Sequence, residues 1–423
     1  MSQSPHPARA AALRLMEGVV DDSRLMSELL GEDWFQALAP SDRARAQRLA
    51  LECFRQGERA DRLLKPLLQR SPPEAVLRIL RLGLVEIGAL GGAAHGVVGD
   101  MVSAAGAGRH TRGFKGMVNA VLRKASVRAE ADWGKLPVPR LPAWLRKPLT
   151  AAYGNSAIQG IETAHLRTAP LDITAKGDPA TVAEAVVGEV LPTGSIRVRD
   201  AGQVSAMAGF EEGEWWVQDA AAALPARLLS AREGERVLDL CATPGGKTMQ
   251  LAATGALVTA VDASGARLER VRQNLSRTGL SAEIIEADIF AVAGQYDAVL
   301  LDAPCSATGT IRRHADLPHA RDGGGISELI ALQARMLDHA LKLVKPGGRL
   351  VFCTCSLLPD EGEVQVEDAL KRNTSVSADR APLEHPGIDP SWITEEGGLR
   401  LRPDYWLKAG GMDGFYMACL RKT

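Results

Sequence analysis

The run Arg236-Val-Leu-Asp-Leu-Cys-Ala-Thr-Pro-Gly-Gly-Lys-Thr248 joins a short apolar stretch to a glycine turn, with a helix expected to open near Met249. Four comparable apolar runs follow at Leu257–Asp262, Ala282–Glu286, Tyr296–Asp302 and Arg349–Thr354, separated by stretches of helical pattern. Strands that are apolar along their whole length, alternating with helices, predict a doubly wound parallel sheet in a Rossmann-like α/β domain. Ligands in that architecture bind beyond the carboxyl ends of the strands. The last run, Gly414–Leu420, follows no clear crossover helix and is expected to pair antiparallel.

Working back from this domain, residues 131–215 read as a linker followed by a small α+β segment. Three prolines between Pro137 and Pro142 argue against a continuous helix there. A short helix is expected over Trp144–Gly154, then short strand-like runs around Ile173 and Ile196 with one helix near Ala180–Val187. From Pro7 to Arg128 apolar residues recur at helical spacing, which predicts an all-α domain. Ser41 or Asp42 before Arg43, and Ser71 before Pro72-Pro73, are its expected helix caps. The chain thus divides into 1–130, 131–215 and 216–423, two or three domains being usual for 423 residues.

Composition narrows the class. With 46% hydrophobic and 24% charged residues the chain is of globular type, and disordered or fibrous readings drop out. Six scattered cysteines do not form a disulfide framework, and neither an export signal nor an apolar run of membrane-spanning length is seen, so a reducing cytoplasm is expected. The formal charge of −1 argues against a protein that coats nucleic acid by bulk charge. Residues 1–130 nevertheless carry 19 Lys and Arg against 14 Asp and Glu. Within 101–128, Arg109, Arg112, Lys115, Arg123, Lys124 and Arg128 occur with no acidic residue; they read as an RNA-backbone contact, with an ordinary solvated helix face as the alternative.

The glycine turn admits three readings. A phosphate-cradling loop needs glycine where Cys241 stands, and a dinucleotide site needs a third glycine, so both fail. A merely structural turn would explain Gly245 and Gly246 but not the acids that follow. Asp262, Asp288 and Asp302 fall at or just beyond successive strand ends, where a carboxylate can accept ribose hydroxyls. Two cysteines share that edge, Cys305 in Asp302-Ala-Pro-Cys-Ser306 and Cys355 in Thr354-Cys-Ser356. Turns rich in Pro, Ser and Asp at a ligand edge suit a reactive thiol, whereas Cys353, within the strand, reads as a small apolar filler. The cysteine spacing fits no usual zinc motif, and no metal is expected.

Cys241–Lys247, Tyr296–Ala307 and Thr354–Ser356 together resemble the RsmB/Sun family of S-adenosylmethionine-dependent RNA cytosine-5 methyltransferases. Phe210–Asp219 and Asp413–Ala418 are similar to that family's entry into the catalytic domain and its final strand. His95–Val102 and Phe114–Arg123 resemble the NusB-like helical domain of its bacterial ribosomal members. Leu171–Lys176 departs from the family in lacking an Arg-Val-Asn run, and Ala221–Ala223 lack a serine usual after Gln218-Asp219.

The resemblance implies S-adenosylmethionine as cofactor, held by Cys241, Ala242, Thr243, Pro244, Gly245, Gly246, Lys247, Asp262, Asp288 and Asp302. It implies Cys355 as nucleophile, Cys305 as the residue assisting release, and Asp302 at the cytosine N3 edge. DNA cytosine-5 methyltransferases instead use the Pro-Cys cysteine, here Cys305. The expected partner is RNA, small-subunit ribosomal RNA ahead of transfer RNA, met by a monomer. A non-catalytic NusB-like RNA-binding or assembly factor is the reading of another class, disfavoured by the intact cysteines and glycines.

Overall fold

The computed structural model describes residues 6–199 and 201–423. They form two compact units: residues up to Arg167 together with Ile311–Gly323, and Thr168–Thr310 with Gly324–Thr423. The first unit is all-α. Helices Pro7–Val20, Pro40–Leu64, Glu74–Gly88, Ala94–Ala107 and Lys115–Asp132 surround a core that includes Leu15, Leu49, Leu80, Leu84, Met101 and Leu122. A bidentate Arg9–Glu86 pair, both contacts 2.7 Å, lies buried in it and is joined by Arg45. Arg9 also pairs with Asp100, so each of the two buried charges keeps a second partner of opposite sign.

The helix starts differ from the sequence expectation. Ala39 and Pro73 are the N-caps, with Pro40 and Glu74 at the first helical positions and neither cap making a side-chain bond. Proline at the first position spares an amide that has no helical partner, so Pro40 sets that boundary rather than the nearby Ser and Asp. The helix expected to end at Gly154 resumes after it and runs Ala143–His165, broken only at Gly154, whose φ is 78°.

The second unit carries two sheets. β1 (Leu171–Ala175), β2 (Glu189–Val190), β3 (Ile196–Val198) and β4 (Trp215–Val217) form an antiparallel sheet in the order β2-β3-β1-β4. In the stretch that departs from the family pattern, Asp172 pairs bidentately with buried Arg197 and accepts from the Ala220 amide, tying this sheet to the helix Ala220–Leu229. The larger sheet holds β5 (Arg236–Leu240), β6 (Leu257–Asp262), β7 (Glu283–Glu286), β8 (Tyr296–Asp302), β9 (Val344–Thr354), β10 (Val376–Ala378), β11 (Gly398–Leu401) and β12 (Phe415–Lys422). Its order is β10-β12-β9-β8-β5-β6-β7, with β11 on β12. β5 to β9 are parallel and β12 runs antiparallel to β9, as the sequence predicts for the last run.

Val237, Leu238, Leu240 and Val299–Leu301 are fully buried, which is why these strands show no polar alternation. β5 has β6 on one side and β8 on the other, so strand order reverses there and a crevice opens beyond the carboxyl ends.

Candidate functional site

The chain leaves β5 through a strained turn: Cys241 has φ 62° and Gly245 φ 103°, both left-handed. At Gly245 a side chain would meet that strain and also stand 3.2 Å from Val271, so glycine is required there. The helix then begins at Gly246, three residues earlier than expected. Ala242, Pro244, Gly245 and Gly246 shape this turn, whereas Cys241 and Thr243 line a cavity of about 410 Å³ beyond the strand ends.

Asp262, Asp288, Asp302, Cys305 and Cys355 line the same cavity. Its apolar wall comprises Ile289, Phe290, Leu332 and Met336, none of which the sequence singles out, because an apolar residue facing a ligand and one facing the core share the same pattern. Arg267 also lines it. Asp262 ends β6 and is held by three donors: Thr243 Oγ1 at 2.6 Å, Arg267 at 2.8 Å and the Ser264 amide at 3.0 Å. Asp288 accepts from the Phe290 amide at 2.9 Å and caps the turn that carries Ile289 and Phe290.

Lys247 is not among the residues that line the cavity but is bonded to one that is. Its Nζ donates to Asp302 Oδ2 at 2.7 Å, and Cys353 Sγ donates to Oδ1 at 3.4 Å. Burial favours the neutral amine, but the charge of Asp302 prevails and holds the lysine pKa above its ordinary value. Behind the turn, burial pushes the Asp239 carboxyl up to about 7, although Thr248 Oγ1 donates to it at 2.6 Å.

The two sequence-predicted cysteines meet: Cys305 Sγ and Cys355 Sγ are 3.5 Å apart. The Cys355 contact and burial raise the Cys305 thiol well above its usual range, while Cys353 is fully buried in the sheet core. The loops carrying the two thiols are joined by Glu361, which is fully buried and accepts from both Ser306 and Ser356. The sequence gives it no distinction, because its partners are in contact only after folding.

Arg109, Arg112, Lys115, Arg123 and Lys124 belong to the all-α unit and are exposed, on the turn after Ala107 and on the helix Lys115–Asp132. Among the described residues no cluster of metal-ligating side chains is found, and no helix is long and apolar enough to cross a membrane.

A parallel sheet with a glycine turn after its first strand, an acid at the end of the next, and a half-apolar cavity between them defines an S-adenosylmethionine-dependent methyltransferase. The cavity fits that cofactor in size and lining: carboxylates stand where hydroxyls or an amine need acceptors, and apolar side chains where a heterocycle needs a wall. Residues 226–421 match the family "16S rRNA methyltransferase RsmB/F" and residues 6–126 the NusB family.

Two proteins named ribosomal RNA small subunit methyltransferase B are similar along most of their length. That of Pseudomonas putida is 36% identical, with 98% of each chain covered, and that of Xanthomonas campestris pv. campestris is 35% identical, with 88% of this chain and 89% of the relative covered. Among solved structures, a methyltransferase homologue from Pyrococcus horikoshii is 27% identical with a TM-score of 0.55, covering 66% of this chain and 94% of its own. The chain belongs to the RsmB/F family of 16S rRNA methyltransferases.

Proposed function

We propose that the protein methylates C5 of a cytosine in small-subunit ribosomal RNA through a covalent adduct between Cys355 and C6. The observation that carries this reading is the pair of thiols 3.5 Å apart at the carboxyl edge of the sheet, in the same cavity as Asp262 and Asp302. C5 of cytosine is too weak a nucleophile to take a methyl group unaided. Addition of the Cys355 thiolate to C6, with a proton delivered at N3, turns the ring into an enamine whose C5 is nucleophilic. S-adenosylmethionine, when bound, supplies the methyl group from its sulfonium. The C5 proton then passes to water and the C6–S bond breaks, the Cys305 thiol assisting release by donating to the departing Cys355 thiolate, while N3 gives back its proton.

Asp302 faces the N3 edge in this scheme. Lys247, bonded to it, supplies the positive charge that a thiolate and a carboxylate require when confined together. Asp262 receives the ribose of the cofactor and Asp288 borders it, with Cys241 and Thr243 at the turn. Because a base in a helix is out of reach of a thiolate, the target must be single-stranded or flipped. Arg109, Arg112, Lys115, Arg123 and Lys124 bind the RNA backbone, which makes residues 1–130 the RNA-binding domain and 131–215 a positioning segment. On this reading the protein acts as a monomer in the cytoplasm.

The test is methyl transfer to deproteinised 16S rRNA and to bulk tRNA, with the modified position mapped by bisulfite sequencing. The expected result is one protected cytosine in 16S rRNA and none in tRNA. Modification of tRNA alone would move the substrate, and cofactor binding without methylation of either RNA would favour a non-catalytic assembly factor.

A further inference from the structure

Outside the residues that face the cavity, one buried polar cluster joins the two cysteine loops, and Glu361 is its centre. The carboxylate is fully buried and lies in Pro359–Glu361, just past Thr354-Cys-Ser356. One oxygen accepts from the Ser306 amide at 2.9 Å and from Gln333 Nε2 at 3.1 Å. The other accepts from the Ser356 hydroxyl at 2.6 Å and from the Ser306 hydroxyl. Each serine directly follows a candidate thiol, Cys305 in one loop and Cys355 in the other.

Gln333, also fully buried, donates to the Pro304 carbonyl at 2.8 Å, so the Pro-Cys-Ser turn is held at residues 304 and 306. The backbones add a second tie, the Gly309 amide donating to the Cys355 carbonyl at 2.9 Å. A charged acceptor with four donors has no unpaired requirement that would draw it toward solvent, and removing it would strand the Ser306 amide and leave the two hydroxyls only each other and Thr308 as side-chain partners.

We propose that Glu361 is a positioning residue for the reaction: it sets the separation of Cys305 and Cys355, so that the thiol which assists release stays beside the adduct the other thiol has formed. It does not touch substrate. Attack by Cys355 requires only its own loop, whereas release requires both loops in register, so weakening the tie slows release more than attack. The inference rests on the two-cysteine reading above, with Cys355 attacking and Cys305 releasing.

The experiment measures formation and decay of the protein–RNA adduct on denaturing gels under single-turnover conditions with 16S rRNA and S-adenosylmethionine. It compares the wild type, Cys305→Ala, Glu361→Gln and Ser306→Ala, with cofactor affinity measured for each. Gln at 361 keeps the size and one accepting oxygen but replaces the oxygen shared by the two hydroxyls with an amide donor. The expected result is an adduct that persists at least tenfold longer in Glu361→Gln than in the wild type, with adduct formation and cofactor affinity changed less than threefold. Ser306→Ala, which removes one donor and leaves the carboxylate in place, should show the same pattern more weakly and serves if Glu361→Gln does not fold. Equal loss of formation and release, or wild-type decay of the adduct in both variants, would overturn the proposal. Cys305→Ala separates the two levels: if it accumulates no adduct, the two-cysteine reading fails, whereas accumulation there with wild-type decay in Glu361→Gln and Ser306→Ala refutes only the role of Glu361.

Discussion

The two ends of the crevice are built on different principles. At the cofactor end a backbone turn and strand-terminal acids line an open cavity, and its principal acid, Asp262, is held partly by Arg267, whose side chain is mostly exposed. At the cysteine end two loops are held by a closed set of hydrogen bonds among Ser306, Thr308, Gln333, Ser356 and Glu361, all essentially buried. An open end can exchange a spent cofactor for a fresh one. A closed end keeps two thiols in register through several bond changes. The division predicts that damage at one end changes cofactor affinity and damage at the other changes turnover, with little crossover.

The largest expected effect is at the cysteine end. Cys355→Ala should lower methyl transfer by on the order of 10³-fold or more, while cofactor affinity measured by calorimetry stays near that of the wild type. Loss of both together would break the division. At the other end, Asp262→Ala removes a charged acceptor and should weaken cofactor binding by ~10–100-fold, as expected for one charge-assisted hydrogen bond, with turnover at saturating cofactor largely retained.

A third prediction concerns Asp239, behind the cofactor turn. Its pKa is raised to about 7 from 3.8, so the folded state binds the proton more tightly than the unfolded state. The contribution to stability is therefore full at low pH and is lost as pH rises through about 7. Asp239→Asn cannot ionise, and its stability relative to the wild type should grow with pH by ~1.4 kcal/mol per unit between about 4 and 7 and then level off. Thermal melts across that range check it, and a pH-independent difference would contradict it. The smallest effect is expected away from the crevice: charge reversal at Arg109 and Arg112 should weaken RNA binding and reduce its salt dependence by a slope of ~1–2, leaving cofactor affinity as it was.

What the sequence made legible follows the same division. β5, β6 and β8 begin and end where their apolar runs do, since a strand buried on both faces has no polar positions to blur it. Because ligands of a doubly wound sheet bind beyond its carboxyl ends, the acids at the ends of β6 and β8 and the two thiols fall on one edge. Helix starts are less legible at Pro40 and Pro73, because serine and aspartate beside a proline look like caps even when proline itself occupies the boundary. Glu361 was invisible for a deeper reason. It sits 55 residues from Ser306, and a lone glutamate after a proline is ordinary turn composition until the fold buries it. The cavity wall of Phe290, Leu332 and Met336 was hidden in the same way, its side chains being indistinguishable from core until the sheet fixes which face they present.

The assignment of roles to the two thiols is tested most directly by incubating Cys305→Ala and Cys355→Ala with substrate RNA and S-adenosylmethionine and resolving the products on a denaturing gel. The account predicts a stable protein–RNA adduct with Cys305→Ala and none with Cys355→Ala. An adduct formed by Cys355→Ala and absent from Cys305→Ala would contradict it and make Cys305 the nucleophile.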